Sequence, residues 1–181
     1  MDDSEIIALF RQGERDRAFN TLVRKYSERL YWHLRAMVQV HEDADDLLQN
    51  TWVRVWNALD TFREDSQLYT WLYRIATNEA ISFLRKQNVR AFVCFTDKSD
   101  MIAGRIAAEH SFNGDELQMC LQKAIAKLPP KQKAVFTMRY FGELKYEEIS
   151  EILDTSVASL KTSYHIASGK VEDFLKKNMD F

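Results

Sequence analysis

The chain has 181 residues, a length that suits one medium-sized domain or two small ones. Its formal net charge of −2 excludes the overall basic excess expected of a protein that holds DNA unaided, so any affinity for nucleic acid must come from local surfaces. Only two prolines and five glycines interrupt apolar residues that recur at spacings of three and four, and this pattern predicts an all-α fold.

The sequence also argues against several classes of protein. The opening stretch MDDSEIIALF has acids where a secretory signal needs positive charge, and no segment is apolar enough to cross a bilayer, so we expect a cytoplasmic protein. Cys94 and Cys120 lie outside any C-x-x-C pattern and the histidines are scattered, so we expect neither a disulfide nor a metal site. Without a phosphate-binding glycine loop or a nucleophile beside a base, we expect no cofactor, no small-molecule substrate and no enzymatic activity.

The apolar periodicity divides the chain in two. It is nearly continuous from Ser4 to Asn88, weakens, and resumes from Glu116 to Leu175. We therefore predict two helical domains, residues 1–88 and 116–181, joined by a linker over residues 89–115 with room for one short helix in MIAGRIAAEH.

The first informative helix is contained in DADDLLQNTWVRVWNALDTF. Leu48, Trp52, Val55 and Leu59 share one face, which we assign to the core. A second face is polar and neutral to acidic, with Asp46, Gln49, Asn50, Val53 and, near its border, Trp56. Such a surface is unattractive to nucleic acid and suits a protein partner, although an ordinary solvated face explains the pattern equally well.

The next helix, in TWLYRIATNEAISFLRK, has an unusual outer face. Leu72, Ala76, Ala80 and Phe83 form its core side, flanked by Ile75 and Leu84. The opposite stripe holds Trp71, Arg74, Asn78, Ser82 and Arg85. Arginine attracts phosphate, tryptophan can stack on a base, and asparagine can donate hydrogen bonds to a base edge and accept them from it. The stripe is therefore typical of a surface that binds single-stranded nucleic acid.

The loop FREDSQLY, just before this helix, adds Ser66, Gln67 and Tyr69, where an unstacked base could be held. The alternative for the two aromatic side chains, Trp71 and Tyr69, is that they lie half-buried against a neighbouring helix. Glu79 is an acid in this region for which the single-strand interpretation gives no reason.

The C-terminal segment predicts a helix-turn-helix. Pro129-Pro130 marks a helix start, Gly142 ends that helix, KYEEISEIL forms a short second helix, and Thr155 or Ser156 can cap a third helix from about Val157. In a helix-turn-helix the N-terminal half of the last helix enters the major groove. The side chains able to reach base edges or phosphates are then Ser159, Lys161, Thr162 and His165. A helical hairpin that merely closes a small bundle is the alternative.

Taken together, three motifs in order resemble the sigma-70 superfamily of bacterial RNA polymerase initiation factors. They are D-x-x-Q followed by a tryptophan, T-W-L-Y-R-I-A, and L-P-x-x-x-x-x-V-F. More narrowly, the chain is similar to the small two-domain extracytoplasmic-function (ECF) group. The resemblance extends over most of the chain and implies a non-catalytic protein that directs promoter-specific transcription initiation.

The resemblance also assigns roles to the residues above. It implies that Asp46, Gln49, Val53 and Trp56 dock on the clamp coiled coil of core RNA polymerase. The α-helical stripe of Trp71, Arg74, Asn78 and Arg85, with the Ser66–Tyr69 loop, would melt and read the non-template strand of the minus-ten element. The helix-turn-helix would read the double-stranded minus-thirty-five element. An anti-sigma factor is the further partner that this family implies.

The residues alone leave two other functional interpretations open. A free-standing helix-turn-helix regulator would use the D-x-x-Q face to dimerise and would bind an operator without polymerase. An all-helical adaptor or anti-sigma protein would bind only proteins, and its DNA-dependent behaviour would not respond to charge changes at Arg74 or Arg85.

Overall fold

The computed structural model describes residues 1–62, 64–94, 96–109 and 115–179, and within these ranges it contains helices and no strand, which confirms the all-α prediction. The helices are α1 Asp3–Arg11, α2 Arg15–Val38, α3 His41–Ala58, a 3₁₀ turn Leu59–Thr61, α4 Leu68–Val93, α5 Lys98–Ala108, α6 Glu116–Lys127, α7 Pro130–Tyr140, α8 Tyr146–Leu153 and α9 Val157–Asn178. None of them is both long and apolar enough to span a membrane.

Helices α1 to α4 form an N-terminal bundle around α2. Every fourth residue of α2 from Ala18 to Leu34 is buried, so one stripe of this long helix faces the core throughout. Helix α3 contributes Trp52 and Val55, and α4 contributes Leu72 and Leu84, to the same apolar cluster. The bundle thereby holds α3 and α4 side by side with their polar faces outward.

Helices α6 to α9 form the C-terminal unit, and its boundaries follow from local chemistry. Pro130 occupies the first turn of α7, where its missing N–H costs nothing. A Cβ at Gly142 would lie 2.7 Å from the carbonyl oxygen of Met138, so only glycine fits where the chain leaves α7. Asp154 turns the chain with a φ of 50°, and the Ser156 hydroxyl caps α9 by accepting from the Ser159 N–H. The predicted helix-turn-helix is therefore present as α8 and α9.

The segment between the two units contains α5, which confirms the short helix expected there. It starts at Lys98, three residues before the predicted stretch, and His110, the last predicted residue, lies outside the described part of the chain. Helix α4 also runs to Val93, five residues beyond the boundary predicted at Asn88. The predicted linker is thus partly helical.

The two units pack against each other. Helices α7 and α8 lie on α2 and α4, and a single apolar cluster includes side chains from both units. Ala134 and Met138 of α7 and Ile149 of α8 belong to this cluster together with Leu34 and Leu72 of the N-terminal bundle. At one edge Gln39 Nε2 donates to both the backbone oxygen and the side-chain oxygen of Gln122, at 2.8 and 2.7 Å.

Candidate nucleic-acid and protein interfaces

The predicted protein-binding face of α3 is largely open to solvent. Asp46 and Gln49 are exposed, and Val53 is 60% exposed, which is unusual for a β-branched apolar side chain. Trp56 differs because its ring is half-buried: it meets Phe19 edge-on at 5.0 Å, and the Arg15 guanidinium lies 4.5 Å from its centre. Three of the four residues therefore form an accessible patch, and Trp56 offers it only part of its ring.

The outer face of α4 is exposed over its C-terminal half. Asn78, Ser82 and Arg85 all face solvent, one turn apart along the helix. The opposite side is buried as the helical periodicity predicts, with Ala76, Ala80 and Leu84 inaccessible. Helix α4 is thereby held rigidly by its apolar face while it presents amide, hydroxyl and guanidinium groups outward.

The aromatic residues at the start of α4 are less available than the helical wheel indicates. Trp71 is half-buried, with its ring 5.1 Å from that of Phe62. Tyr69 packs on Tyr73 at 4.2 Å and lies 5.2 Å beneath the Arg29 guanidinium. Burial raises the pKa of the Tyr69 phenol above its usual range, so its hydroxyl stays protonated. Both rings are thus half-buried, Trp71 beside Phe62 and Tyr69 beneath Arg29 of α2.

The loop before α4 keeps its predicted polar groups near the surface. Gln67 is exposed and is the residue immediately before α4, while Ser66 is partly exposed. Both residues are therefore near Tyr69 and Trp71 in the sequence, and the side chains of Ser66 and Gln67 remain accessible to a ligand.

Arg74 contacts the C-terminal unit, which the sequence did not indicate. Its Nη2 donates to the backbone oxygen of Glu151 on α8 at 2.7 Å, while its Nε is buried without a hydrogen-bond partner among the described residues. The neighbouring Thr70 hydroxyl lies 3.4 Å from the Glu151 carboxylate. The N-terminal end of the predicted DNA-reading stripe is thus covered by the helix-turn-helix unit in this structure.

Glu79, the acid that the single-strand interpretation does not explain, has a partner of opposite charge. Its side chain is 14% exposed and its Oε1 lies 2.5 Å from Nε of Arg54, so the pair bridges α4 and α3. Sequence reasoning did not single out Arg54. The available signal was the acid itself, because a carboxylate on a helix flank that packs against a neighbouring helix needs a partner of opposite charge.

The predicted recognition helix, α9, exposes all four predicted contact residues. Ser159, Lys161, Thr162 and His165 face solvent. The Thr162 hydroxyl donates to the backbone oxygen of Ala158 at 3.1 Å, and the Lys161 ammonium lies 5.8 Å from the centre of the Tyr146 ring. Lys161 and His165 are therefore the side chains with a free charged or ring nitrogen group for a DNA groove.

A cleft of about 570 Å³ opens between the two units. Arg29, Trp32 and His33 of α2 line one side, and Met138 and Phe141 line the other. Burial lowers the pKa of His33 to about 4, so its imidazole stays neutral and hydrogen-bonds to the Thr77 hydroxyl at 2.8 Å. The side chains of Trp32 and Phe141 are exposed at the rim of the cleft. Most of the accessible lining of the cleft is apolar.

Comparison with known proteins agrees with this architecture. Residues 22–90 match the family model Sigma-70 region 2, and residues 118–168 match Sigma-70, region 4. The chain is 32% identical over 163 residues to the ECF RNA polymerase sigma factor SigW of Bacillus subtilis, covering 86% of this chain and 87% of that protein. It is 30% identical over 177 residues to the ECF RNA polymerase sigma-E factor of Escherichia coli K12, covering 90% and 88%.

Solved structures show the same fold. The sigma factor RpoE of Bartonella quintana, crystallised with the anti-sigma factor NepR, superposes with a TM-score of 0.64 at 22% identity, over 89% of this chain and 98% of that one. CnrH, solved in complex with the cytosolic domain of CnrY, gives a TM-score of 0.62 at 24% identity, over 91% of each chain.

Proposed function

Because this chain belongs to the sigma-70 family, in its ECF group, and directs transcription initiation, we propose that its exposed surfaces divide that task. The α3 patch of Asp46, Gln49 and Val53, with the free edge of Trp56, docks on core RNA polymerase. The outer face of α4 and the Ser66–Tyr69 loop melt and read the non-template strand of the minus-ten element. Helix α9 reads the double-stranded minus-thirty-five element.

The observation that carries this proposal is that one rigid bundle presents two chemically different exposed faces. The α3 patch is neutral to acidic, and the α4 face around Asn78 and Arg85 is polar and basic. Because α3 and α4 pack directly against each other, the bundle can touch a protein and a nucleic acid at the same time. The polymerase performs the chemistry, and the factor contributes no catalytic group.

The half-buried rings change the proposed details at the upstream end of α4. Trp71 and Tyr69 offer edges and part of a face, so the polar groups of Ser66 and Gln67 carry more of the contact with an unstacked base. The Nη2 group of Arg74 becomes available to DNA only when α8 separates from α4. The proposal therefore includes a movement of the C-terminal unit when the promoter is engaged.

The C-terminal contact is expected to be weak by itself. Of the four contact residues on α9 only Lys161 carries a fixed positive charge, so few counterions are released on binding. With a net charge of −2, the factor supplies selectivity while core polymerase supplies most of the affinity. The free protein should bind promoters poorly.

The interdomain cleft supports the expected anti-sigma partner. The exposed rings of Trp32 and Phe141 rim an apolar cleft bounded by both units. An apolar segment of a regulatory protein seated there would hold the units together and keep Arg74 covered. Of the solved structures of similar fold, that of RpoE contains the anti-sigma factor NepR and that of CnrH contains the cytosolic domain of CnrY.

The test is transcription in vitro by core polymerase from a matched bacterium, with this protein added to a genomic fragment library and the transcript starts sequenced. Discrete starts that share two upstream elements are expected. A folded protein that binds a DNA site without polymerase and produces no starts would instead favour the free-standing regulator.

Variants separate the two faces within that assay. Asn78→Ala should impair promoter opening, measured by permanganate reactivity of unpaired thymines, with unchanged affinity for core polymerase. Asp46→Ala combined with Gln49→Ala should weaken holoenzyme assembly in a pull-down. Loss of polymerase binding in a folded Asn78→Ala protein, or full binding by the α3 double variant, contradicts the division of labour.

A further inference from the structure

Arg54 lies between the two proposed faces of the N-terminal bundle. Along α3 it follows Val53, an exposed member of the polymerase patch, and across the helix pair it meets Glu79, which follows Asn78 on the DNA-reading face. Its side chain is 65% exposed, whereas the Glu79 side chain is 14% exposed. The carboxylate therefore lies beneath the guanidinium, and the guanidinium lies at the surface.

The geometry of the pair leaves most of the arginine free. The close contact uses Nε of Arg54, at 2.5 Å from the Glu79 carboxylate. Among the described residues, neither Nη atom of Arg54 makes a hydrogen bond, and the shortest approach in its ion pair with Glu79 is at Nε. A guanidinium held through Nε still has four N–H donors on its two Nη groups, arranged as a fork that matches the oxygens of a phosphate.

Charge complementarity indicates which macromolecule this fork meets. The polymerase patch beside it is neutral to acidic, through Asp46 and Gln49, so a complementary protein surface would not attract an arginine there. The α4 face, with Arg85 and the partly covered Arg74, already attracts anions. Arg54 is attached to that face through Glu79 and continues its positive charge.

We propose that Arg54 contacts a backbone phosphate of the promoter next to the base read by Asn78, and that Glu79 is a positioning residue that orients the Arg54 guanidinium. This inference rests on the proposed function of α4. It extends the DNA-binding surface from α4 onto α3 and gives a reason for an acid beside a DNA-reading stripe. Arg54 also compensates the mostly buried Glu79 carboxylate, so the melting temperature of each variant is measured beside its promoter binding.

The experiment measures promoter binding by the reconstituted holoenzyme as a function of salt concentration. Each phosphate contact contributes about 0.7 to 0.9 to the slope of log K against log salt. Arg54→Gln should reduce the slope by about that amount and weaken binding on every promoter alike. Arg24→Gln, which removes an exposed arginine of α2, is the matched control and should leave the slope unchanged.

Glu79→Gln tests the positioning role. It should weaken promoter binding when Arg54 is present and have no further effect in the Arg54→Gln background, because the carboxylate acts only through the guanidinium. Arg54→Lys should keep the salt slope, since the charge remains, but recover only part of the affinity, since the fork is lost.

Three outcomes would overturn the inference. An unchanged slope in Arg54→Gln, with a lowered melting temperature, would make the pair purely structural. A loss of affinity for core polymerase would assign Arg54 to the protein interface. Additive effects of Arg54→Gln and Glu79→Gln would remove the positioning role. Failure of the wild-type holoenzyme to bind promoters at all would instead reject the proposed function.

Discussion

Lys133 is the residue whose environment is least expected for its type. Its side chain is 0% exposed, and its ammonium donates to the side-chain oxygen of Gln39 at 3.2 Å. Burial, with a smaller contribution from the nearby positive charge of Lys98, holds the pKa of Lys133 well below its usual range. Burial also lowers the pKa of Lys98 to about 8. Near the junction of α2, α5 and α7, the surroundings of both lysines therefore disfavour the protonated, charged form of the side chain.

This arrangement predicts the direction of the pH dependence of stability. A lysine whose folded pKa is depressed binds fewer protons when folded than when unfolded, so the free energy of unfolding rises with pH between the two pKa values. For Lys98 that window runs from about 8 to the ordinary lysine value of 10.5, and for Lys133 it begins lower. Urea denaturation should therefore show increasing stability from neutral pH to about pH 9, below the ordinary tyrosine pKa of about 10.

Lys133→Met should raise the free energy of unfolding at neutral pH by about 1 kcal/mol, since an apolar side chain of similar length avoids the burial of an amine, and it should flatten the pH dependence. Lys131→Met, an exposed position on the same helix, is the control and should change neither quantity. A less stable Lys133→Met protein with an unchanged pH profile would contradict this account.

At this scale the sequence predicted which side of a helix a residue occupies, but not what covers it. Asn78 and Arg85 are exposed as the α4 periodicity required. Trp71 and Arg74, on the same stripe, are covered by Phe62 and by α8, which lie elsewhere in the chain. Periodicity carries no information about neighbours outside the helix itself, and Lys133 and Arg54 were missed for the same reason.

At the scale of elements, helix α5 is attached by charged groups as well as by apolar packing. The Arg105 guanidinium donates to both carboxylate oxygens of Asp43 on α3, at 2.7 and 2.8 Å. Just after α5, the Glu109 carboxylate accepts from Arg35 at 2.7 Å and from the backbone N–H of His41 at 2.6 Å. Ile102 and Ile106 are fully buried beneath these contacts. These ion pairs thus fix the linker helix where α2 ends and α3 begins.

Arg105→Ala should release α5 locally without unfolding the N-terminal bundle. The bidentate pair with the mostly buried Asp43 is lost, so the opening free energy of the α5 amides should fall by about 1–2 kcal/mol. Hydrogen exchange read by mass spectrometry resolves this, with Arg24→Ala as the exposed control. Equal loss of protection in α2 and α5 would show that the helix does not open as an independent unit.

Element boundaries were predicted best where their signals are local. Pro130 begins α7, Gly142 follows it, and Ser156 caps α9, all as the residue types indicate. The end of α4 was not predicted, because no local stop signal marks where this helix ends. The docking of α5 was not predicted either, because it depends on pairs such as Arg105 with Asp43, which are 62 residues apart in sequence.

At the scale of the whole molecule, the two units share apolar contacts that a flexible linker does not require. Met138 and Ala134 of α7 and Ile149 of α8 are buried in the same cluster as core residues of α2 and α4. The Gln39 side chain adds two hydrogen bonds to Gln122 at the edge of this contact. Division of the chain by its periodicity predicted two helical domains but gave no indication that these parts of the chain would associate.

We therefore expect the free protein to be a single compact particle in solution. A compact chain of this length has a radius of gyration of about 16 Å, whereas two units tethered by an extended linker would exceed it clearly. Small-angle X-ray scattering measures this directly. Because the contact is mainly apolar and its hydrogen bonds are largely shielded, the radius should be the same at low and high salt. A larger radius, or one that grows with salt, would show that the units separate freely. In that case Arg74 would be accessible without polymerase, and promoter engagement would need no displacement of α8.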